Sequence, residues 1–242
     1  MPPHIHYVEP YFGSGAVLFR KPRSKVETIN GIDGNVVNLF KVLRDRPAEL
    51  AALVHMTPWS REEYLDSYEP LTGDPLEDSR RFIVRCWQAF GTRTNGQSGW
   101  KNEISGDQGK MVTSIWRELP DRILAAAERF RGIQIESSPA LILIARLRSP
   151  EVLIYADPPY LGINHRQYLH PMGEEDHFNM LVALMEHPGP VILSAYEHGL
   201  YDNTIDGWTK AYKDAFADAG RRRKEVLWLN PVAAEMREGV LF

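Results

Sequence analysis

The chain has very little cysteine: Cys86 is the only one among 242 residues. A single cysteine excludes a disulfide framework and the zinc sites that are built from several thiolates. Cys86 stands between Arg85 and Trp87 in a segment that predicts a helix. Because a free cysteine usually behaves as a small buried hydrophobe, we expect it in the core.

Long apolar runs and metal-ligand spacings are also absent from the sequence. No stretch approaches the roughly 20 apolar residues that cross a bilayer, and the opening Met1-Pro2-Pro3-His4 lacks the basic and apolar regions of a signal peptide. The eight histidines are scattered without a cysteine or paired-histidine framework. We therefore predict a cytoplasmic α/β protein with no metal and no membrane partner.

An excess of basic charge is missing as well. The net charge of -4 and the pI near 6.1 argue against a nucleic-acid partner, because phosphate contacts need positive charge. The distribution is uneven, however: acids crowd between residues 62 and 78, whereas basic clusters stand at 20–25, 80–85, 93–101 and 221–224. Each basic cluster taken alone is more typical of a solvated face than of a DNA contact.

What the chain does contain is a stiff acidic turn after a buried strand. The apolar run at 152–156 predicts the strand, and it leads directly into Asp157-Pro158-Pro159-Tyr160. Two prolines cannot continue a strand, so the carboxylate is displayed at the carboxyl end of the sheet, where open α/β sheets bind ligands. The proline carbonyls accept hydrogen bonds without a competing amide donor, and two acceptors beside an aromatic ring suit a planar amine. An ordinary Asp-Pro turn is the alternative.

A second motif follows a short strand predicted at 6–8. Its sequence is Glu9-Pro10-Tyr11-Phe12-Gly13-Ser14-Gly15. Glycines at a strand-to-helix turn let a ligand approach the backbone, and helix-start amides favour an anionic group, so we expect a helix to begin near Ala16. The spacing is only Gly-x-Gly, which lacks the third glycine of the dinucleotide fingerprint. Asp33, just past the next strand at 26–30, is either a ribose ligand or a helix N-cap.

The remaining pattern predicts a doubly wound sheet with an insertion. Helices are expected at 78–90, 111–130, 139–148 and 174–187, and strands at 132–135 and 190–194. Pro120 interrupts the segment 111–130 and suits the first turn of a second helix there. Residues 208–213 and 226–229 predict a closing antiparallel pair. The segment 57–110 breaks the alternation, so we predict a catalytic domain of 1–56 and 111–242 with a target-recognition insertion of 57–110.

Together these motifs resemble the D12 class of S-adenosylmethionine-dependent, adenine-N6-specific DNA methyltransferases, the family of Dam-like and many phage enzymes. Further matches are Asp176-His177, Leu193-Ser194-Ala195-Tyr196 and Glu225-Val226-Leu227-Trp228-Leu229-Asn230. The order of cofactor motif, variable segment and catalytic motif is that of the family's α group. The resemblance implies a Rossmann-like fold with a mostly parallel sheet, an antiparallel carboxyl-terminal strand and a largely helical recognition insertion.

The resemblance also implies roles for individual residues. Asp157 and the Pro158 carbonyl would accept the two N6 hydrogens, on a turn made rigid by Pro159, while Tyr160 would stack on an adenine flipped out of double-stranded DNA. The cofactor would be held by Glu9, Pro10, Tyr11, Gly13, Ser14, Gly15 and Asp157, with Asp33 near the ribose. In the glycine-rich loop 91–102, Arg93, Asn95 and Lys101 are candidate DNA contacts, although a surface loop without such a role would have a similar composition.

Two alternatives stay open at this level. The same acceptors would serve another planar amine, such as cytosine N4, RNA adenine or a protein glutamine amide. The family's upstream Gly-Gly-Lys-like segment has no counterpart here, so a relic that binds nucleic acid without cofactor is the non-enzymatic alternative. We expect a phage or restriction-modification origin, the latter with a cognate restriction endonuclease as partner, and the sequence indicates neither a recognition site nor an oligomeric state.

Overall fold

The computed structural model describes residues 1–90, 96–102, 112–161, 169–216 and 222–238. The chain forms two compact units: the first comprises Met1–Ile32, Gly132–Asn164 and His170–Phe242, and the second is built chiefly from Asp33–Arg131. The insertion predicted at 57–110 lies within the second unit, and its assignment to target recognition stays a prediction.

The first unit contains a seven-stranded sheet with the order β3-β2-β1-β4-β5-β7-β6. Its strands are β1 (His6–Glu9), β2 (Val26–Asn30), β3 (Gln134–Glu136), β4 (Val152–Ala156), β5 (Val191–Tyr196), β6 (Thr209–Phe216) and β7 (Arg222–Leu229). Pairings among β1 to β5 are parallel, whereas β7 pairs antiparallel with both β5 and β6. The predicted Rossmann-like α/β fold with an antiparallel carboxyl-terminal pair is confirmed.

One face of this sheet, here called the core face, is apolar. The register aligns Val8 with Ile154, and Leu193 with both Ala156 and Trp228, so these side chains share a face. They pack in one buried cluster with residues of α7 (Ala140–Arg146), α8 (Glu174–Met185) and α9 (Gly199–Thr204). Burial of this cluster stabilises the first unit.

The opposite face, here called the site face, carries hydroxyls and carboxylates at the alternate positions. Tyr7 is aligned with Glu27, Tyr155 with Ile192, and Tyr196 with Glu225. Glu9 ends β1 on this face, and Asp157 follows β4 on the same face beside Ser194. Alternation along each strand therefore separates a structural face from a polar one.

The second unit is helical. Its helices are α1 (Gly34–Asp45), α2 (Pro47–Met56), α3 (Arg61–Asp66), α4 (Pro75–Gln88), α5 (Val112–Arg117) and α6 (Leu119–Phe130). Aromatic pairs join parts of this unit: Phe40 of α1 meets Phe130 of α6 with ring centroids 5.1 Å apart, and Trp59, between α2 and α3, meets Trp116 of α5 at 5.7 Å. Pro120 lies in the first turn of α6, as predicted.

Ion pairs explain one of the basic clusters. Arg80 donates to both Glu77 oxygens at 2.7 Å and to Glu63 at 2.6 Å, and Arg81 donates to Glu77 at 2.9 Å. Arg85 is buried and donates to the Ser67 carbonyl. The cluster at 80–85 therefore neutralises part of the acidic stretch within the protein, and its arginines are more buried than the solvated face that the sequence favoured.

Two local predictions are wrong. No helix follows Gly15: residues 16–20 form turns in which Phe19 N donates to Gly15 O at 3.0 Å, and Pro22 prevents a longer helix. Cys86, in the last turn of α4, is exposed instead of buried. Four further helices, α2, α3, α9 and the final α10 (Pro231–Glu238), had no counterpart in the sequence prediction.

Candidate active site

The candidate site lies where the strand order reverses. The chain runs from β1 outward to β2 and β3 on one side, and continues from β4 to β5 on the other. The carboxyl ends of β1 and β4 are adjacent, so the segment after Glu9 and the segment after Ala156 meet at this edge. Such a switch point is the usual ligand site of an open α/β sheet.

The turn after β1 is held in one shape by backbone contacts. Phe12 N donates to the Asn30 backbone carbonyl at 2.8 Å, and the Asn30 side-chain amide donates to Pro10 O at 2.9 Å. Gly15 has φ +68°, and a Cβ at this position would lie 2.6 Å from the Phe12 ring. Only glycine fits this position without displacing the ring.

Gly13 and Ser14 differ from Gly15 because they are exposed. A Cβ at Gly13 would meet no atom within 4 Å. The turn therefore presents open backbone at its tip and a tightly packed base at Gly15. This is the arrangement that lets a ligand lie against main-chain atoms.

Glu9 is a buried carboxylate with a fixed partner. It is 5% exposed and accepts a hydrogen bond from the Tyr7 hydroxyl at 2.6 Å. Burial raises the pKa of the Glu9 carboxyl to about 7, opposed by the Tyr7 hydrogen bond and reinforced by the nearby charge of Asp157. Its ionisation is therefore balanced near neutral pH, and a cationic ligand would favour the charged form.

Asp157 lies at the mouth of the site. Its surface is exposed, yet the surrounding protein still raises the pKa of its carboxyl, while hydrogen bonding to Tyr160 and Ser194 lowers it and Glu225 adds repulsion. Pro158 is buried directly behind it. An accessible acceptor on a buried, rigid turn is suited to a polar hydrogen of an incoming substrate.

Aromatic rings stand beside this carboxylate. The Tyr160 hydroxyl lies 2.9 Å from Ser194 Oγ, and the Tyr160 and Tyr196 rings meet edge to face with centroids 4.6 Å apart. Ser194 is 5% exposed and also interacts with Tyr155. Tyr160 is therefore partly exposed, and Ser194, which interacts with both residues, holds it next to Asp157.

The two predicted motifs are also connected through α8 and α9. His177 is fully buried, with Nδ1 2.9 Å from the Tyr201 hydroxyl, and its ring interacts with the Pro159 carbonyl. Asp176 accepts from Gly173 N at 2.8 Å and interacts electrostatically with Tyr11. Pro159 and Tyr11 therefore interact with two neighbouring residues, His177 and Asp176, in the first turn of α8.

The donor set fits a positively charged ligand. Glu9 and Asp157 repel each other, and both carboxyl pKa values are raised. Among the described residues no cluster of three or more metal-ligating side chains stands at this or any other place. A sulfonium or ammonium group between the two acids would relieve their repulsion.

The remaining predicted site residues are Asp33, Arg93, Asn95 and Lys101. Asp33 belongs to the second unit and is the N-cap of α1, where it accepts from Asn35 N at 2.9 Å, as the helix-cap alternative predicted. Arg93 and Asn95 lie outside the described residues. Lys101 anchors its segment to α4, since its amide donates to Gln88 O at 2.7 Å and its Nζ to Trp87 O at 3.2 Å.

Sequence reasoning missed the residues behind the site. Tyr7 and Tyr155 stand two positions before Glu9 and Asp157, so strand alternation could have placed each on the same face as its acid. Lys21 and Asn30 gave no such signal. Their partners Glu27 and Pro10 are six and twenty residues away, and only the folded turn brings each pair together.

Comparison with known proteins gives one family. A family model of the D12 class of N6 adenine-specific DNA methyltransferases matches residues 1–218 of the 242. The match includes both motifs at the switch point and the whole second unit. No curated protein sequence matches the chain. Among the described residues, no helix is long and apolar enough to span a membrane.

Proposed function

Because the chain belongs to the D12 class of N6 adenine-specific DNA methyltransferases, we propose that it transfers a methyl group from S-adenosyl-L-methionine to N6 of an adenine flipped out of double-stranded DNA. The observation that carries this proposal is the pair of carboxylates, buried Glu9 and accessible Asp157, at adjacent strand ends. When bound, the cofactor supplies a methyl group activated by a positively charged sulfur.

The turn after β1 would bind the cofactor. Glu9 is positioned to attract the cationic methionine end, Gly13 and Ser14 offer open backbone, and Gly15 keeps the turn tight. Pro10 and Tyr11 complete the proposed set.

Asp157 and the Pro158 carbonyl would orient the amine. The N6 lone pair of adenine is delocalised into its ring, so acceptors that draw on the two N6 hydrogens favour a tetrahedral, nucleophilic nitrogen. Pro158 has no amide hydrogen, and the Pro158-Pro159 turn fixes both acceptors before substrate arrives. Asp157 is then adjacent to the proton that the product nitrogen must lose.

Tyr160 would receive the extruded base. Its ring is partly exposed and is braced by Tyr196 and by Ser194. Stacking on an aromatic face compensates part of the energy lost when a base leaves the duplex. The segment 57–110, with Lys101 and the candidates Arg93 and Asn95, is the part of the chain that we assign to DNA recognition.

The direct test is transfer of labelled methyl groups to unmethylated DNA, followed by nucleoside digestion and mass spectrometry. We expect N6-methyladenine from the natural protein and none from Asp157→Ala. Asp206→Ala is the matched control, because Asp206 is exposed and its carboxylate accepts a hydrogen bond from the amide of the neighbouring Gly207. N4-methylcytosine would identify another amine as substrate, and absence of any methylated base from folded protein would contradict the proposal.

A further inference from the structure

A buried ion pair lies behind the turn after β1, the turn that we propose to bind the cofactor. Lys21 Nζ is 2.5 Å from Glu27 Oε1, and the two side chains are only 5% and 3% exposed. The same ammonium donates to Ser24 Oγ and to Pro22 O, both at 2.8 Å. Two buried charges with full hydrogen bonding are costly to desolvate, so such a pair usually serves geometry more than stability.

The ion pair is connected to Glu9 through Tyr7. Lys21 Nζ lies 4.3 Å from the centroid of the Tyr7 ring, and the Tyr7 hydroxyl donates to Glu9 at 2.6 Å. Burial raises the pKa of Tyr7 far above neutral, so the phenol keeps its proton and remains a donor. The cation, the ring and the carboxylate thus form one buried row on the site face.

We propose that Tyr7 is a positioning residue for Glu9: held beneath the Lys21 ammonium, it fixes one carboxylate oxygen and keeps Glu9 in the charged form that binds the cationic end of the cofactor. The part of this inference that concerns cofactor binding rests on the proposed function. The effect of Tyr7 on the ionisation of Glu9 does not depend on that function. Tyr7 itself touches neither cofactor nor substrate in this assignment.

The charges that act on Glu9 come from three neighbouring segments. The Tyr7 hydroxyl, the Leu18 backbone and Lys21 favour its ionised form, whereas Asp157 opposes it. Tyr155 on β4 also interacts with it, and Glu27 acts on Tyr7. Because burial already disfavours the charge, loss of a favourable group moves the ionisation of Glu9 above neutral pH.

The first experiment measures the Glu9 carboxyl in the cofactor-free protein. A carbon-13 NMR titration, with the signal assigned from Glu9→Gln, is compared between the natural protein and Tyr7→Phe. We expect the pKa of Glu9 to rise by about one unit when the phenol is lost, the size of one charge-assisted hydrogen bond. The double variant Lys21→Gln/Glu27→Gln, which keeps a polar pair, should shift it in the same direction.

The second experiment measures binding of S-adenosyl-L-methionine by calorimetry between pH 6 and 8.5. If the pKa of Glu9 rises by about one unit, Tyr7→Phe should bind the cofactor roughly fivefold more weakly at pH 7 and with nearly natural affinity at pH 8.5. Titration of the cofactor's own amino group cancels when the two proteins are compared at equal pH. A purely structural defect would weaken binding equally at every pH.

Tyr64→Phe is the matched control, because Tyr64 is equally buried and donates to Ser98 O in the second unit. It should change neither the titration nor the pH dependence. An unshifted Glu9 titration in Tyr7→Phe would overturn the inference. Absence of cofactor binding by the natural protein at every pH would instead contradict the proposed function, and the titration would still report on Tyr7.

Discussion

The two faces of the sheet in the first unit differ in what alternate residues contribute. Along the same strands, Val8, Ile154 and Leu193 point into the apolar cluster, whereas Glu9, Asp157 and Ser194 point to the site face. Any well-packed apolar side chains can fill the core face. The site face instead carries two carboxyl groups whose pKa values are raised, together with buried hydroxyl groups. Stability and chemistry are therefore carried by neighbouring residues with opposite requirements.

Removing the exposed acid should separate chemistry from stability most strongly. Asp157→Ala should lower methyl transfer at saturating substrates by about 10³-fold or more, since a preorganised acceptor is lost. Because the pKa of Asp157 is raised, its ionised form does not stabilise the fold, and the thermal midpoint should not fall. Single-turnover transfer and calorimetric unfolding check the two halves. A parallel loss of both would show that Asp157 is needed for folding.

A truncation on the core face should have the opposite signature. Leu184→Ala, at a fully buried site in α8, should lower the free energy of unfolding by about 3 kcal/mol. Met185→Ala is the matched control because Met185 is 51% exposed in the same helix, and it should change stability by less than about 0.5 kcal/mol. Urea unfolding gives both values, and transfer per folded molecule should stay natural in each. Equal losses would mean that α8 is not packed as described.

Glu9→Gln should stabilise the protein while weakening cofactor binding. The folded-state pKa of Glu9, about 7, exceeds that of an unfolded glutamate, so the natural protein loses stability as pH rises between these two values. The variant lacks this loss and should be more stable by about 3 kcal/mol at pH 8, with no difference at pH 4. Urea unfolding at both pH values is the measurement. Glu151→Gln, at an exposed position, should show no such pH-dependent gain.

The two faces of the sheet also explain which elements and site residues could be predicted from the sequence. The apolar run at 152–156 and the strand predicted at 26–30 gave β4 and β2 with the same bounds that the structure has, and the apolar runs located the core. The sequence located both motifs at strand ends, but not Tyr7 and Lys21, whose roles depend on a turn that packs one residue against another. Short α2 and α3 were missed because local propensity is weak there and packing within the second unit stabilises them.

The smallest expected effect compares two glycines of one turn. Gly15→Ala places a Cβ at φ +68° and 2.6 Å from the Phe12 ring, and should lower the free energy of unfolding by about 1–2 kcal/mol. Gly13→Ala meets no atom within 4 Å, so its stability should remain natural. If Gly13 faces the cofactor, its added methyl should still weaken S-adenosyl-L-methionine binding, by several-fold in calorimetry. Natural affinity in Gly13→Ala would remove Gly13 from the cofactor site and leave Gly15 with a purely structural role.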